Sequence, residues 1–372
     1  MTNKPQFVGE RVKLGDVLQV VNGKNQKAVE DENGQYPIYG SGGQMGWANS
    51  FICPANTVII GRKGNINKPI YVSEPFWNVD TAFGLVAKPE VLDARYLYHF
   101  CKHYDFEKLN TTCTIPSLTR KNVEGILLRL PSFEQQKEMT ARFDSILKQI
   151  TLAQQQLSYL DSLVKSRFVE MFGGLSGYES RALEECVSVI ESGKSPKCLA
   201  KPREGGDPGV LKLSAISSGV YKETENKALP SGAKVTDGKM VRDGDILLAR
   251  KNTPELVGQS VLVNHTEGNI MFPDIVFRMR VRPEVDEVYL SYALAHPLAG
   301  AIKSLAHGSA KSMSNIPKSK LAKLSIPLPP LALQREFAAF ASQVDKSRFV
   351  AQQQIEKLQM LYDSLAQEYF GD

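Results

Sequence analysis

The chain has 372 residues, carries 45 Lys+Arg against 40 Asp+Glu for a net charge of +5, and is 42% apolar. That length suits two or three domains at about 100–200 residues each. The balance excludes a wholly disordered or collagen-like chain, and no apolar run reaches the roughly 18–20 residues of a spanning helix, so no membrane is expected.

Residues 1–129 predict a mixed α and β segment. No apolar core follows the single charge of the first six residues, so no secretion signal is read. The glycines of Gly40-Ser41-Gly42-Gly43-Gln44-Met45-Gly46 lack the lysine of a phosphate loop and predict a turn. Thr57-Val58-Ile59-Ile60 and Ile70-Tyr71-Val72 predict strands. Ala94–His103 predicts a helix, in which His99, Cys101 and His103 point to different faces. A Ser/Thr/Lys-rich stretch follows at Thr111–Lys121.

Residues 130–174 then predict one long helix. Met139, Phe143, Ile146, Ile150, Ala153, Leu157, Leu160 and Val164 recur at spacings of four and three, a heptad seam. Ser132-x-x-Gln135 has the form of a capping box, and Gly173-Gly174 is the stop. Residues 175–327 read as a second mixed segment. Its predicted strands are Gly244–Leu248 and Val261–Val263, its predicted helix is Val288–Ala301, and a second Ser/Thr/Lys-rich stretch lies at His307–Lys320. Residues 328–372 predict a second long helix, set by Pro329-Pro330, with Phe337, Ala341, Val344, Arg348, Ala351, Ile355, Leu358, Tyr362, Leu365 and Tyr369 on its seam.

The chain repeats itself. Residues 130–173 (LPSFEQQKEM…EMFG) align without a gap to 328–371 (LPPLALQREF…EYFG) at an offset of 198, with roughly 16 of about 44 positions identical. The globular segments correspond more loosely: Asn56–Lys63 with Gly244–Lys251, and Asn78–Phe83 with Phe272–Phe277. The expected fold class is α+β: two mixed globules (1–129 and 175–327) joined by two long antiparallel coiled-coil helices (130–174 and 328–372). Each helix of about 40 residues is about 60 Å long at 1.5 Å per residue. The basic excess sits on the globules, about +3 and about +4, against about −2 on the helices together.

The sequence offers little chemistry. It has no adenosylmethionine loop, no Asn/Asp-Pro-Pro-aromatic motif and no acidic nuclease pair. Cys53, Cys101, Cys113, Cys186 and Cys198 are irregularly spaced without a CxxC, which reads as reduced thiols in a cytoplasmic protein. No catalytic residue, no metal ligand and no cofactor is expected.

The Ser/Thr-rich stretch, then alternating apolar residues, then LRLPSFEQQKEM or IPLPPLALQREF and a heptad helix, resembles the specificity subunits of type I restriction-modification systems. Tyr36–Gly43, Val58–Gly64 and Asp243–Leu247 look like that family's target-recognition domains. One departure is Ala332, which stands where the first copy has Glu134. The resemblance implies a non-catalytic subunit that binds double-stranded DNA, each globule reading one half of a split, asymmetric target. It implies docking of two methyltransferase subunits, with ATP-dependent restriction subunits in the full complex, and helices that set the spacing of half-sites about one DNA turn apart, roughly 34–36 Å.

Base and phosphate contacts need Arg, Lys, Asn, Gln, Ser or Thr on loops. The DNA-binding candidates in the first globule are Ser41, Gln44, Arg62, Lys63, Asn65, Asn67, Lys68, Thr119, Arg120 and Lys121. In the second they are Lys194, Lys197, Lys212, Ser214, Arg250, Lys251, Asn252, Lys311, Ser312 and Asn315. Partner-docking candidates are Gln154, Gln155, Gln156 and their repeats Gln352, Gln353, Gln354. The competing readings are a stand-alone nuclease or methyltransferase with an unrecognised site, and a coiled-coil scaffold.

Overall fold

The computed structural model describes residues 9–109, 117–175, 177–233, 235–308 and 313–371. The chain forms two compact units, Met1–Leu157 with Val350–Asp372, and Ser158–Phe349. Each unit holds one globule and part of each long helix.

In unit one, the strand Thr57–Gly61 is buried at every position. It runs antiparallel to Ala82–Ala87 and Ile70–Val72, and Leu18–Asn22 completes a four-stranded sheet. Alternation along the strand feeds two cores, because successive side chains leave on opposite faces. Val58 and Ile60 join the cluster under the helix Ala94–His103, while Ile59 joins Cys53, Val72 and Phe76. A three-stranded sheet pairs the hairpin Tyr36–Gly40 and Gly43–Ala48 with Trp77–Asn78, the last in parallel. The glycine-rich segment is thus the tip of a hairpin.

Unit two repeats this plan. Its four-stranded sheet runs Val187–Ser192, Val276–Val281, Ile246–Ala249, Ser260–Leu262, and its three-stranded sheet again contains one parallel pair, Gly209–Leu211 with Ile270–Met271. Ile246 and Leu248 face one cluster, Leu247 and Ala249 another. Gly23 and Gly193 hold equivalent crossings: a Cβ there would lie 1.8 Å from the Val79 carbonyl oxygen and 1.9 Å from that of Phe272. Two expectations shift. The strand expected at Gly244–Leu248 begins at Ile246, because Gly244 takes φ +80°. The helix expected over Val288–Ala301 is two helices, Glu287–Ala295 and Ala299–Ser304. Pro297 has no N–H to continue the ladder.

The long helices span Phe133–Phe172 and Leu331–Phe370. The capping box forms at the first start: the Ser132 N–H donates to Gln135 Oε1 at 3.1 Å and the Gln135 N–H to Ser132 Oγ at 3.3 Å. One turn into each helix sits a buried glutamine. Gln136 Oε1 accepts from the Asp93 N–H at 2.8 Å, while its amide donates to the Val91 and Pro131 carbonyls at 3.0 Å. Gln334 Oε1 accepts from the Asp286 N–H at 2.9 Å and its amide donates to the Pro329 carbonyl at 2.7 Å. Asp93 and Asp286 in turn cap the helices Ala94–His103 and Glu287–Ala295. Each glutamine therefore ties a long helix to the N-cap of its globule's packing helix.

The seams pair within each unit. In unit one the start of the first long helix meets the end of the second: Arg142 Nη1 donates to Tyr369 Oη at 3.0 Å, and the Phe143 ring lies 4.9 Å from that of Tyr362. In unit two the end of the first meets the start of the second, through Arg167–Glu336 at 2.9 Å and Arg348–Asp161. Arg348, a break in the seam pattern, is half-buried and paired. Unit one also buries His99. Its Nε2 lies 3.0 Å from Asp144 Oδ1 and its Nδ1 2.9 Å from the Tyr362 hydroxyl. A carboxylate only accepts, so Nε2 carries the hydrogen and Nδ1 accepts from Tyr362. Burial pushes the imidazole down to about 4, against the opposing pull of Asp144.

Gln136→Leu keeps volume but strands the Asp93 amide and two carbonyls. We expect a loss of about 3 kcal/mol in urea unfolding. Gly193→Ala should cost about 1–3 kcal/mol in the same assay, since the clash is with backbone. The depressed His99 value also carries a pH signature. The unfolded imidazole, near its ordinary value, binds more protons than the folded one. The His99 contribution is thus complete above about pH 6.5 and is lost as pH falls toward 4, by up to about 3 kcal/mol. A stability–pH profile of His99→Phe, compared with the native chain, should be flatter over that window.

Candidate nucleic-acid interface

The loops at one end of each central strand converge on a single turn. In globule one this turn is Asn78–Ala82. The Gly23 and Lys24 amides donate to the Ala82 and Asn78 carbonyls at 3.3 and 2.8 Å, while the Arg62 and Lys63 amides donate to the Thr81 carbonyl at 2.8 and 3.2 Å. The hairpin joins through the Val79 N–H donating to the Tyr39 carbonyl at 2.9 Å. Ser117 bridges Lys63, and the Leu118 N–H donates to the Arg62 carbonyl at 2.9 Å. The turn thus collects Ser41 and Gln44 on the hairpin, Arg62 and Lys63 after the strand, and Thr119, Arg120 and Lys121 after the bridge.

Globule two builds the same junction around 272–276. The Gly193 and Lys194 amides donate to the Val276 and Phe272 carbonyls at 3.3 and 3.0 Å, and the Arg250 and Lys251 amides to the Ile275 carbonyl at 2.9 and 3.2 Å. Lys251 and Asn252 pair with Asn315 and Ser314, and the Ile316 N–H donates to the Arg250 carbonyl at 2.9 Å. The guanidinium of Arg62 lies 5.7 Å from the Phe83 ring and that of Arg250 5.3 Å from the Phe277 ring. These half-buried arginines are held in place by the rings, a favourable cation–π geometry.

The exposed candidates near these turns are Gln44, Lys63, Asn65, Lys68, Thr119, Arg120, Lys121, Lys194 and Lys197. Asn67 is exposed too, and several of the candidates, exposed or not, have internal partners. The Asn67 amide donates to Asp105 at 2.9 Å and its oxygen accepts from the Phe106 N–H at 2.7 Å. Arg120 pairs with Glu124 at 2.6 Å. Lys212 and Ser214 both bind Glu225, at 2.8 and 2.6 Å, beside the three-stranded sheet. Asn252 is buried and its Oδ1 accepts from the Thr253 N–H at 2.8 Å. Lys311, Ser312 and Cys113 lie outside the described residues. The six docking glutamines are all exposed on the long helices. Among the described residues, no helix is long and apolar enough to cross a membrane.

Sequence reasoning passed over Lys24 and Lys27, both exposed. The signal was present: Gly23-Lys24-Asn25-Gln26-Lys27 repeats as Gly193-Lys194-Ser195-Pro196-Lys197. The repeated glycines make the crossings, and each following lysine is thereby fixed beside the turn. Two acids, Asp80 and Asp274, occupy the turns themselves. Asp274 binds the Ser195 hydroxyl.

Known proteins resemble this chain in sequence over parts of its length and in fold. A family model described as type I restriction modification DNA specificity domain matches residues 9–161. The EcoEI type I restriction enzyme specificity subunit of Escherichia coli is 34% identical over 161 residues, covering 42% of this chain and 27% of the relative. The chain thus matches little more than a quarter of that relative's length. The EcoKI specificity subunit of Escherichia coli (strain K12) is 21% identical over 320 residues, 79% of this chain and 68% of the relative. Among solved structures, a type I restriction-modification S subunit from M. genitalium superposes with a TM-score of 0.63 at 14% identity, covering 100% of this chain and 98% of that one. Over residues 9–161 by the family model, and in parts of the chain by these relatives, the sequence is thus similar to type I restriction-modification specificity subunits, and the fold is similar to that of a solved S subunit.

Proposed function

We propose that the chain recognises a split, asymmetric sequence in double-stranded DNA as the non-catalytic specificity subunit of a type I restriction-modification enzyme. The observation that carries this reading is the duplicated junction. Two globules place a Gly-Lys-x-x-Lys loop and an Arg-Lys pair around the same turn, yet present different residues around it. Residues 1–129 and 175–327 act as the two target-recognition domains, and 130–174 and 328–372 as the frame that sets the gap between half-sites.

The lysines supply phosphate contacts, which position the protein and carry no sequence information. The unlike residues supply base contacts: Ser41 and Gln44 on the hairpin, Asn65 and Lys68 after the strand, and Asn315 in the second globule. An exposed carboxylate such as Asp80 suits a cytosine amino group. Lys311 and Ser312 extend the second globule's set. Two methyltransferase subunits dock on the exposed helix faces that carry Gln154–Gln156 and Gln352–Gln354, two copies of one surface for two copies of one partner. ATP-dependent restriction subunits join the complete enzyme, in the cytoplasm.

The chain co-expressed with the methyltransferase of its own operon should yield adenine modification at a two-part motif with a fixed gap and unlike halves, read by single-molecule sequencing. Identical inverted halves, or no modification from a soluble complex, would sink the assignment. Within that complex, Lys63→Ala and Lys194→Ala should each weaken DNA binding for all sequences and reduce the salt slope by about one. Gln44→Ala should instead relax one position of the first half-site.

A further inference from the structure

The two units solve one packing problem with different residues. The offset of 198 sets Val164 against Tyr362, Phe168 against Ala366, Asp161 against Gln359, Phe143 against Ala341 and Ile150 against Arg348. In the globules, Asp93, Tyr96 and His99 correspond to Asp286, Tyr289 and Tyr292. Both aspartates cap, and both first tyrosines donate to a carbonyl, Tyr96 to Arg129 at 2.8 Å and Tyr289 to Pro327 at 2.7 Å. The third position differs. In unit one it is a buried His99, hydrogen-bonded to Tyr362, in a cluster that sets the large Phe143 with the small Ala366. In unit two it is Tyr292, whose buried hydroxyl has no hydrogen-bond partner among the described residues. Its ring lies 4.9 Å from that of Phe168, which shares a cluster with the small Ala341. Large and small have changed sides. Arg348 meets Asp161 in unit two, where unit one has Ile150 and Gln359.

A second copy of this chain offers unit one a rival helix end. Residues 152–172 of that copy would lie where 350–370 lie. Val164 would bring His99 no hydroxyl, and a buried polar atom left unpaired is costly. Phe168 would enter beside Phe143, and overpacking forces side chains off their rotamers. Asp161 would face Ile150 in place of an arginine. The reverse exchange in unit two sets Ala366 beside Ala341, leaving a void, and Gln359 opposite Arg348.

We propose that these differences form a pairing code, by which each unit accepts the helix end of its own chain and rejects the repeat-equivalent end of a second copy. The code is hydrogen bonding at His99–Tyr362, size at Phe143–Ala366 and Ala341–Phe168, and charge at Arg348–Asp161. A buried polar contact that specifies partner choice at some cost in stability is a known use of such groups in helix pairs. The code stands on the fold and does not depend on the DNA reading.

The test uses the full chain in light and heavy isotope forms, unfolded together, refolded and analysed by native mass spectrometry. The native chain should give no mixed species. The variant His99→Tyr/Phe143→Ala/Tyr362→Val/Ala366→Phe gives unit one the residues already packed in unit two, and should give a several-fold excess of mixed species. Should that variant fail to fold, two single changes decide. Tyr362→Phe should raise the unfolding equilibrium constant about tenfold, while Tyr292→Phe leaves it unchanged. Mixed species from the native chain, none from a folded four-residue variant, or a neutral Tyr362→Phe would overturn the proposal.

Discussion

A single amide, buried one turn into each long helix, holds each globule to its frame. Gln136 and Gln334 have almost no exposed surface. Each accepts the free backbone N–H at the cap of its globule's packing helix and donates to carbonyls that no helix ladder reaches. A charged side chain could not do both, since a carboxylate only accepts and an ammonium only donates. Glutamine alone among long side chains offers both groups on one plane. The neighbouring position, Glu134 or Ala332, is exposed in both copies and free to differ.

On that frame the two globules have the same strand order and the same crossings, although their sequences correspond only in patches. The shared patches are the ones backbone geometry needs. Gly23 and Gly193 permit close approach to a carbonyl, and the apolar strands feed cores on both faces. Arg62 and Arg250 stack on Phe83 and Phe277 at strand ends. What is not shared lies on loops around the turns, where change costs little stability. A scaffold that separates a rigid junction from replaceable loops can change what it reads while keeping its fold.

The seam follows another logic. Its two ends are copies in sequence but not in packing. Unit one places a neutral imidazole between a carboxylate and a tyrosine hydroxyl, while unit two places aromatic rings. Duplication supplied two equivalent halves, and divergence at a few core positions made them distinguishable. Burial explains why so few positions suffice: a mismatch of one ring or one hydroxyl in a close-packed core costs as much as several surface contacts.

Much of this was legible in the sequence. The internal repeat, the length and seam of both helices, Ser132 and Gln135 at the first start, and the strand Thr57–Ile60 follow from periodicity and local chemistry, which act within a few residues. The break at Pro297 was legible too, had the proline outweighed the apolar pattern around it. The junction was legible only in part, because the repeated Gly-Lys-x-x-Lys stands out once the globules are compared. Other features are long-range and have no local signature. Which carbonyl Gly193 approaches, which acid claims Lys212, and which residue's hydroxyl reaches His99 depend on atoms far apart in the chain. The sequence by itself determined a doubled frame of helices and mixed sheets. Only the tertiary structure decided that the repeated glutamine is a buried tie, that the basic loops meet at one turn, and that the two seam ends differ, because each depends on which distant groups share a space closed to water.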